Sequence, residues 1–99
     1  MTKLARVAQA EPIGGFAVRL TFTDGVVREL DLEPMLTNGV LAALRDPQVF
    51  AGVEVDSAAG TVCWPNGVDL DPDVLHGDHE PAIGPGPRLL NEYRLRPTA

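Results

Sequence analysis

The chain is short of several residue types, and each shortage excludes a class of protein. It has a single cysteine, Cys63, which excludes an intramolecular disulfide and a cysteine-based zinc knuckle. No apolar run approaches the ~18 residues of a membrane span. With 44% hydrophobic and 22% charged residues, the composition is that of a globular chain, and 99 residues fit one domain with a modest core.

Positive charge is missing from a long stretch of the chain. Residues 46–87 contain eight acidic side chains and no Lys or Arg. The net charge of −6 argues against direct nucleic-acid binding, because phosphate recognition needs clustered basic side chains. Basic residues gather instead near the C-terminus, at Arg88, Arg94 and Arg96. Either the two segments fold onto each other, or the acidic one faces a basic partner.

Recognisable catalytic sets are also missing. There is no Gly-rich phosphate loop, Ser/His/Asp set or nucleophile elbow, so we predict no catalytic residues and no cofactor, and an enzyme ranks third among the interpretations of function. Arg6, Gln9 and Glu11 interrupt the apolar region that a signal peptide would require. We therefore expect a cytoplasmic protein that does not associate with membranes.

The clearest element that is present is a β-hairpin. A period of two predicts a half-buried strand, whose inward residues are Phe16, Val18, Leu20 and Phe22. Asp24-Gly25 then signals a turn into residues 26–31. This turn could be a two-residue loop or a three-residue loop. We favour the second, which puts Gly25 in the left-handed region and pairs Val26 with Phe22.

Shorter elements surround this hairpin. A brief alternation from Leu4 to Gln9 predicts a first strand that Glu11-Pro12 breaks. Helical spacing over residues 32–50 is interrupted by Pro34, so short helices or 3₁₀ turns are expected. Residues 53–56 and 61–64 predict a second hairpin.

Residues 60–75 organise the rest of the chain. The strand over residues 61–64 must end at Pro65-Asn66-Gly67, because asparagine and glycine tolerate positive φ. Asp71 before Pro72 predicts a helix start, since the carboxylate can accept from N–H groups of the first turn. Asp46 before Pro47 predicts another helix start for the same reason. The only tryptophan, Trp64, and the densest acid cluster meet at this corner.

Residues 77–99 are predicted as a Gly/Pro-rich extension to a compact domain of residues 1–76. The first half of the extension has almost no periodicity and reads as loop. In the second half, Leu89, Leu90 and Tyr93 fall at i, i+1 and i+4, which predicts an amphipathic turn or two of helix.

The chain resembles the small prokaryotic family known as domain of unknown function 2442 over roughly residues 2–76. The motifs that carry the resemblance are Phe22-x-Asp24-Gly25, Asp31-Leu32, Phe50 and Trp64-Pro65-Asn66-Gly67-x-Asp69-x-x-Pro72-x-x-Leu75. The resemblance implies a compact α+β domain, found alone or fused to a helix-turn-helix domain and often encoded beside another small protein. It also implies an interaction or toxin–antitoxin-like role, and it assigns no catalytic residues. This chain departs from the family by its extension and by lacking a recognisable helix-turn-helix.

The candidate binding residues lie at the organising corner: Trp64, Asn66, Asp69, Asp71 and Asp73. Trp64 beside acids could wall a ligand pocket. In the alternative, Asn66 and Asp69 only shape the turn, Asp71 caps the helix, and Asp73 favours its dipole.

Metal sites are conceivable but not predicted. Asp69, Asp71, Asp73 and Glu80 imitate a calcium loop, yet Val74 stands where that loop needs glycine. His76 and His79 with Cys63 would make a nitrogen and sulfur set, but solvated histidines and an inert thiol are the simpler interpretation.

We therefore predict an α+β fold, a small mainly antiparallel sheet of two hairpins with short helices on one face. The predicted function is an interaction module, the antitoxin-like or regulatory partner of a small basic protein. Its acidic surface would comprise Asp69, Asp71, Asp73, Asp78 and Glu80. The alternative is a ligand- or metal-binding regulatory domain linked to a DNA-binding partner. A homodimer through an exposed edge strand is also left open.

Overall fold

The computed structural model describes residues 5–37, 39–81 and 84–95, and a four-stranded antiparallel sheet forms its centre. The strands lie in the order β1 (Val7–Gly14), β2 (Ala17–Phe22), β3 (Val26–Asp31) and β6 (Arg88–Arg94). β4 (Glu54–Asp56) and β5 (Thr61–Cys63) form a separate hairpin. The helices are 3₁₀ helices Glu33–Met35 and Gly39–Arg45, α1 (Pro47–Phe50) and α2 (Pro72–His76). The predicted α+β class is confirmed.

The β2–β3 hairpin has the predicted three-residue loop. Val18 lies opposite Leu30, and in this register one face of the two strands is apolar except for Arg28, which lies opposite Leu20. Oδ1 of Asp24 accepts from the N–H of Val26 at 3.0 Å, and Gly25 has φ +88°. That φ strains any residue with a Cβ, so the turn depends on Asp24-Gly25 and the register prediction is confirmed.

β1 continues through Pro12, where a break was predicted, and that prediction is wrong. Pro12 lies opposite Val18, with a register shift between Pro12 and Gly14. Proline cannot donate to a ladder, but β1 is an edge strand and one side of it needs no partner. The residue Leu4 of the predicted strand lies outside the described residues.

The β4–β5 hairpin is fastened to the edge of the main sheet. Nη2 of Arg6 donates to the carbonyl oxygens of Ser57 and Ala58 at 3.1 and 2.8 Å, and the N–H of Val7 donates to the carbonyl of Gly60 at 2.9 Å. These bonds cover part of the outer edge of β1 and hold the second hairpin beside it.

β6 is the largest difference from the predicted extension. Residues 88–94 form a strand that pairs antiparallel with β3, so the prediction of a helical turn is wrong. Glu29 lies opposite Asn91, but Leu30 lies opposite Leu89, so β6 has one extra residue at this register shift. This extra residue explains why the apolar residues of β6 do not alternate regularly. The pairing partners lie far away in sequence, and local periodicity does not reveal them.

Arg28 of β3 ties both β6 and α2 to the sheet. Its Nη1 donates to the carbonyl of Leu75 at 2.8 Å. Its Nε lies 2.8 Å from Oε1 of Glu92 without hydrogen-bond alignment, so this contact is an ion pair. A largely buried guanidinium is tolerated because it has these partners, and one side chain thus joins three elements.

The core packs between the inward face of the sheet and the short helices. The buried residues of this core include three of the predicted inward residues, Val18, Leu20 and Phe22, together with Leu30, Leu36, Leu44, Phe50, Val62 and Leu75. Phe16 and Val55 pack against them but are only partly buried. The same cluster also contains buried Val7, Val26, Leu32, Trp64, Val68 and Leu70.

Candidate functional site

The turn that follows β5 is built from backbone hydrogen bonds. The N–H of Trp64 donates to the carbonyl of Val68, and the N–H of Gly67 donates to the carbonyl of Trp64, both at 2.9 Å. Oδ1 of Asn66 accepts from the N–H of Val68 at 3.2 Å, and Gly67 has φ +89°. Asn66, rather than Asp69, is therefore the side chain that shapes this turn.

A surface depression lies between this turn and the 3₁₀ helix Gly39–Arg45. It has a volume of about 360 Å³, and we call it the Asn66 depression. Its lining residues are Val40, Ala43, Asn66, Gly67, Val68 and Asp69. Val40 is 73% exposed, so its side chain is accessible to a binding partner. The depression thus brings together an apolar surface, the amide of Asn66 and the exposed carboxylate of Asp69.

Trp64 does not open into this depression. Its side chain is 2% exposed, and its Nε1–H donates to the carbonyl of Phe50 at 2.9 Å. The Phe50 ring lies at a centroid distance of 5.9 Å. Trp64 is a core residue that packs β5 against α1. The turn that lines the Asn66 depression follows it in the chain.

Carboxylates surround Cys63 on the β4–β5 hairpin. Cys63 pairs with Glu54 in the ladder and bridges to Asp69. Burial of the thiol, and then the charges of Asp56, Glu54 and Asp69, raise the pKa of Cys63 above its ordinary value. A protonated thiol is a poor nucleophile and metal ligand. Of these three carboxylates, Asp69 also lines the Asn66 depression.

Asp71 and Asp73 lie at the start of α2. Oδ1 of Asp71 accepts from the N–H of Asp73 at 2.9 Å, so Asp71 is the predicted helix cap. The carbonyl of Asp73 accepts from the N–H groups of Gly77 and Asp78 at 3.1 and 2.9 Å. Asp71 therefore stabilises the start of α2. Asp69, in contrast, is exposed and has no hydrogen-bond or ion-pair partner among the described side chains.

His76 forms a cluster that sequence reasoning missed. Its Nε2 lies 2.8 Å from Oδ2 of Asp24, and its Nδ1 lies 2.9 Å from Oδ2 of Asp78. The imidazole is 16% exposed and stands edge-on to the Phe22 ring. We call Asp24, His76 and Asp78 the His76 clasp. Asp24 and His76 are 52 residues apart, and no spacing in the sequence points to their contact.

The Asp24 carboxyl is a stronger acid than usual. Burial opposes ionisation of its carboxyl, but the N–H of Val26 and the contact with His76 outweigh burial and lower the pKa of Asp24. A folded-state pKa below the unfolded value stabilises the protein at neutral pH. This contribution is lost as the pH falls through the folded-state pKa.

We expect Asp24→Asn to lower the free energy of unfolding at neutral pH. The difference from the unmodified chain should shrink as the pH falls from about 5 towards 3, because protonated Asp24 resembles the asparagine. Urea unfolding at several pH values measures this. A difference that stays constant over that range would contradict the assigned role.

No metal centre is assembled in the part of the chain that the structure describes. Within residues 5–37, 39–81 and 84–95, no three His, Cys, Asp or Glu side chains are grouped to hold an ion. Both ring nitrogens of His76 already face carboxylates. Of the helices described, none has the length and apolar character to cross a membrane.

A family model described as "Protein of unknown function (DUF2442)" matches residues 7–78, which is more than half of the chain. The chain belongs to the DUF2442 family. The DUF2442 match covers β1 to β5, both α-helices, the Asn66 depression and the His76 clasp, whereas β6 lies beyond it. Comparison with curated proteins and with solved structures gave no match.

Proposed function

We propose that this DUF2442 protein is an interaction module whose Asn66 depression receives a basic, partly apolar segment of a protein partner. The observation that carries the proposal is the depression itself, which is lined by both exposed Val40 and the exposed carboxylate of Asp69. A Lys or Arg side chain fits such a place, since its methylene stem can lie on valine while its head meets a carboxylate.

Charge supports a basic partner. Glu54, Asp56 and Asp69 lie close enough to Cys63 to raise the pKa of its thiol, and all three belong to a stretch of 42 residues, 46–87, that has no Lys or Arg. Such a field favours encounter with a positively charged surface and disfavours acidic ones. The finer role that we propose is that of an antitoxin-like or regulatory partner of a small basic protein.

Asp69 is a better position for testing this than Asp71, because Asp71 also caps α2. We expect Asp69→Lys to abolish capture of a basic partner in affinity purification from the native host. Capture by the unmodified chain should weaken with added salt, since exposed charges are screened.

Glu33→Lys is the matched control. It makes the same two-unit change of charge, at an exposed position that lines a different depression and whose ion-pair contact, with Arg45, is long at 3.9 Å and half exposed. Capture should survive Glu33→Lys, and melting temperatures should stay similar for both variants. Retention of the partner by Asp69→Lys, or its equal loss with Glu33→Lys, would overturn the proposal.

The alternative, a ligand- or metal-binding regulator linked to a DNA-binding partner, has no comparable observation among the described residues, since Trp64 is buried and no ligand set is grouped. Stabilisation of the protein by several degrees on adding calcium or zinc, with no protein captured, would favour that alternative instead.

A further inference from the structure

The two edges of the main sheet differ sharply. β1 carries Pro12, two register shifts and the attached β4–β5 hairpin, all of which obstruct pairing with another strand. At the other edge, every residue of β6 is exposed. Large exposed apolar side chains in the described part of the chain are concentrated there: Leu89, Leu90, Tyr93 and Leu95. An edge of this kind invites a further strand.

The backbone contacts identify which groups of β6 face outward. The N–H of Leu95 donates to the carbonyl of Gly25 at 2.7 Å. In an antiparallel pair, the backbone N–H and C=O groups of every second residue point towards the neighbouring strand. The backbone groups of Tyr93, two residues before Leu95, therefore also point towards β3, where Tyr93 lies opposite Val27. The N–H and C=O groups of Glu92 and Arg94 therefore point away from the sheet.

We propose that the free edge of β6 pairs antiparallel with β6 of a second copy of this chain, with Tyr93 on the two-fold axis. In this register Glu92 lies opposite Arg94 of the second copy, and Arg94 lies opposite its Glu92. Both pairs use outward-facing backbone groups, and both join opposite charges. The two sheets become one sheet of eight strands.

Neighbouring two-fold registers are less favourable. Centring the pairing on Glu92 sets two glutamates opposite each other, and centring it on Arg94 sets two arginines opposite each other. Centring it on Asn91 sets Arg94 opposite Arg88. Like charges directly opposite on a sheet are destabilising. The segment Glu92-Tyr93-Arg94 thus complements itself only when Tyr93 is central.

Side chains already in place support this register. Glu92 is held by Arg28 through its Oε1 and is half exposed, so its carboxylate can also meet an arginine of the second copy. Tyr93 is 43% exposed and would face its counterpart at a position where side chains approach closely. Leu95 of the second copy lies diagonally beside Tyr93.

Sedimentation equilibrium of the full chain should give a dimer whose dissociation constant rises at least about tenfold in Arg94→Glu, because both charge pairs become repulsive. A monomer at all concentrations, or an unchanged dimer in Arg94→Glu, overturns the proposal.

Cysteine cross-linking tests the register with a matched control. In a Cys63→Ser background, Tyr93→Cys should form a covalent dimer on mild oxidation, since residues 93 of the two copies would face each other at disulfide distance. Asn91→Cys, on the same strand and face, should not, because its counterpart lies about 13 Å away. Equal cross-linking at both positions, or none at residue 93, overturns the register. Because β6 and the Asn66 depression are separate surfaces, failure here leaves the Asp69 experiment unaffected.

Discussion

Replacing Trp64 with alanine is expected to lower the free energy of unfolding by about 3–5 kcal/mol, the range for large aromatic residues in cores. The indole is 2% exposed, and its removal leaves a cavity beside Phe50. Urea unfolding followed by far-ultraviolet circular dichroism measures the change, since the variant has lost its only tryptophan fluorophore.

Trp64→Phe separates packing from hydrogen bonding. It keeps an aromatic ring but removes the Nε1–H that donates to the carbonyl of Phe50, so we expect a smaller loss of about 1–3 kcal/mol. If Trp64 were instead the wall of a ligand site, Trp64→Ala would change stability by less than about 1 kcal/mol, and that result would contradict its place in the core.

Gly77→Ala should be the second costly change, at about 2–4 kcal/mol. Gly77 ends α2 with φ +96°, and its N–H donates to the carbonyls of Asp73 and Val74. A Cβ there would lie 2.6 Å from Nη1 of Arg28. The guanidinium would have to leave the carbonyl of Leu75, and its contact with Glu92 would be disturbed as well.

Gly67→Ala is the control for this prediction. Gly67 has a similar φ of +89°, and an added Cβ would meet nothing within 4 Å. Only the backbone strain remains, so the loss should be about 1 kcal/mol. Equal losses in thermal or urea unfolding of the two variants would show that the position of Arg28 contributes nothing to the cost.

Local features of the fold could be predicted because their causes are local. Asp24-Gly25 set the hairpin register, and Asp46-Pro47 and Asp71-Pro72 begin α1 and α2 as expected. Each signal involves a side chain acting on backbone groups two or three residues away. Alternation in β2 likewise identified the buried face, since the pleat has a fixed period of two.

Features that join distant segments could not be predicted in this way. β6 is a strand because it pairs with the edge of β3 and because Glu92 forms an ion pair with Arg28. Neither contact can be predicted from residues 88–95 alone. The His76 clasp depends on a contact across 52 residues. Pro12 indicated a break because the sequence does not say that β1 is an edge strand.

The structure places the five predicted site residues in different settings. Asn66 and Asp69 do lie at the surface together, while Trp64 is buried and Asp71 acts as a helix cap. Sequence could not separate these roles, because a tryptophan beside acids suits both a core and a pocket. Val40 was not predicted as a site residue, since only the fold brings the 3₁₀ helix Gly39–Arg45 against the turn.

The most direct test of the proposed function is amide chemical-shift mapping of ¹⁵N-labelled protein on addition of the captured partner. The proposal predicts that the largest shifts fall on Val40, Ala43 and residues 66–69, and that Asp69→Lys removes them. Shifts that leave these amides unchanged and fall on another surface would contradict it.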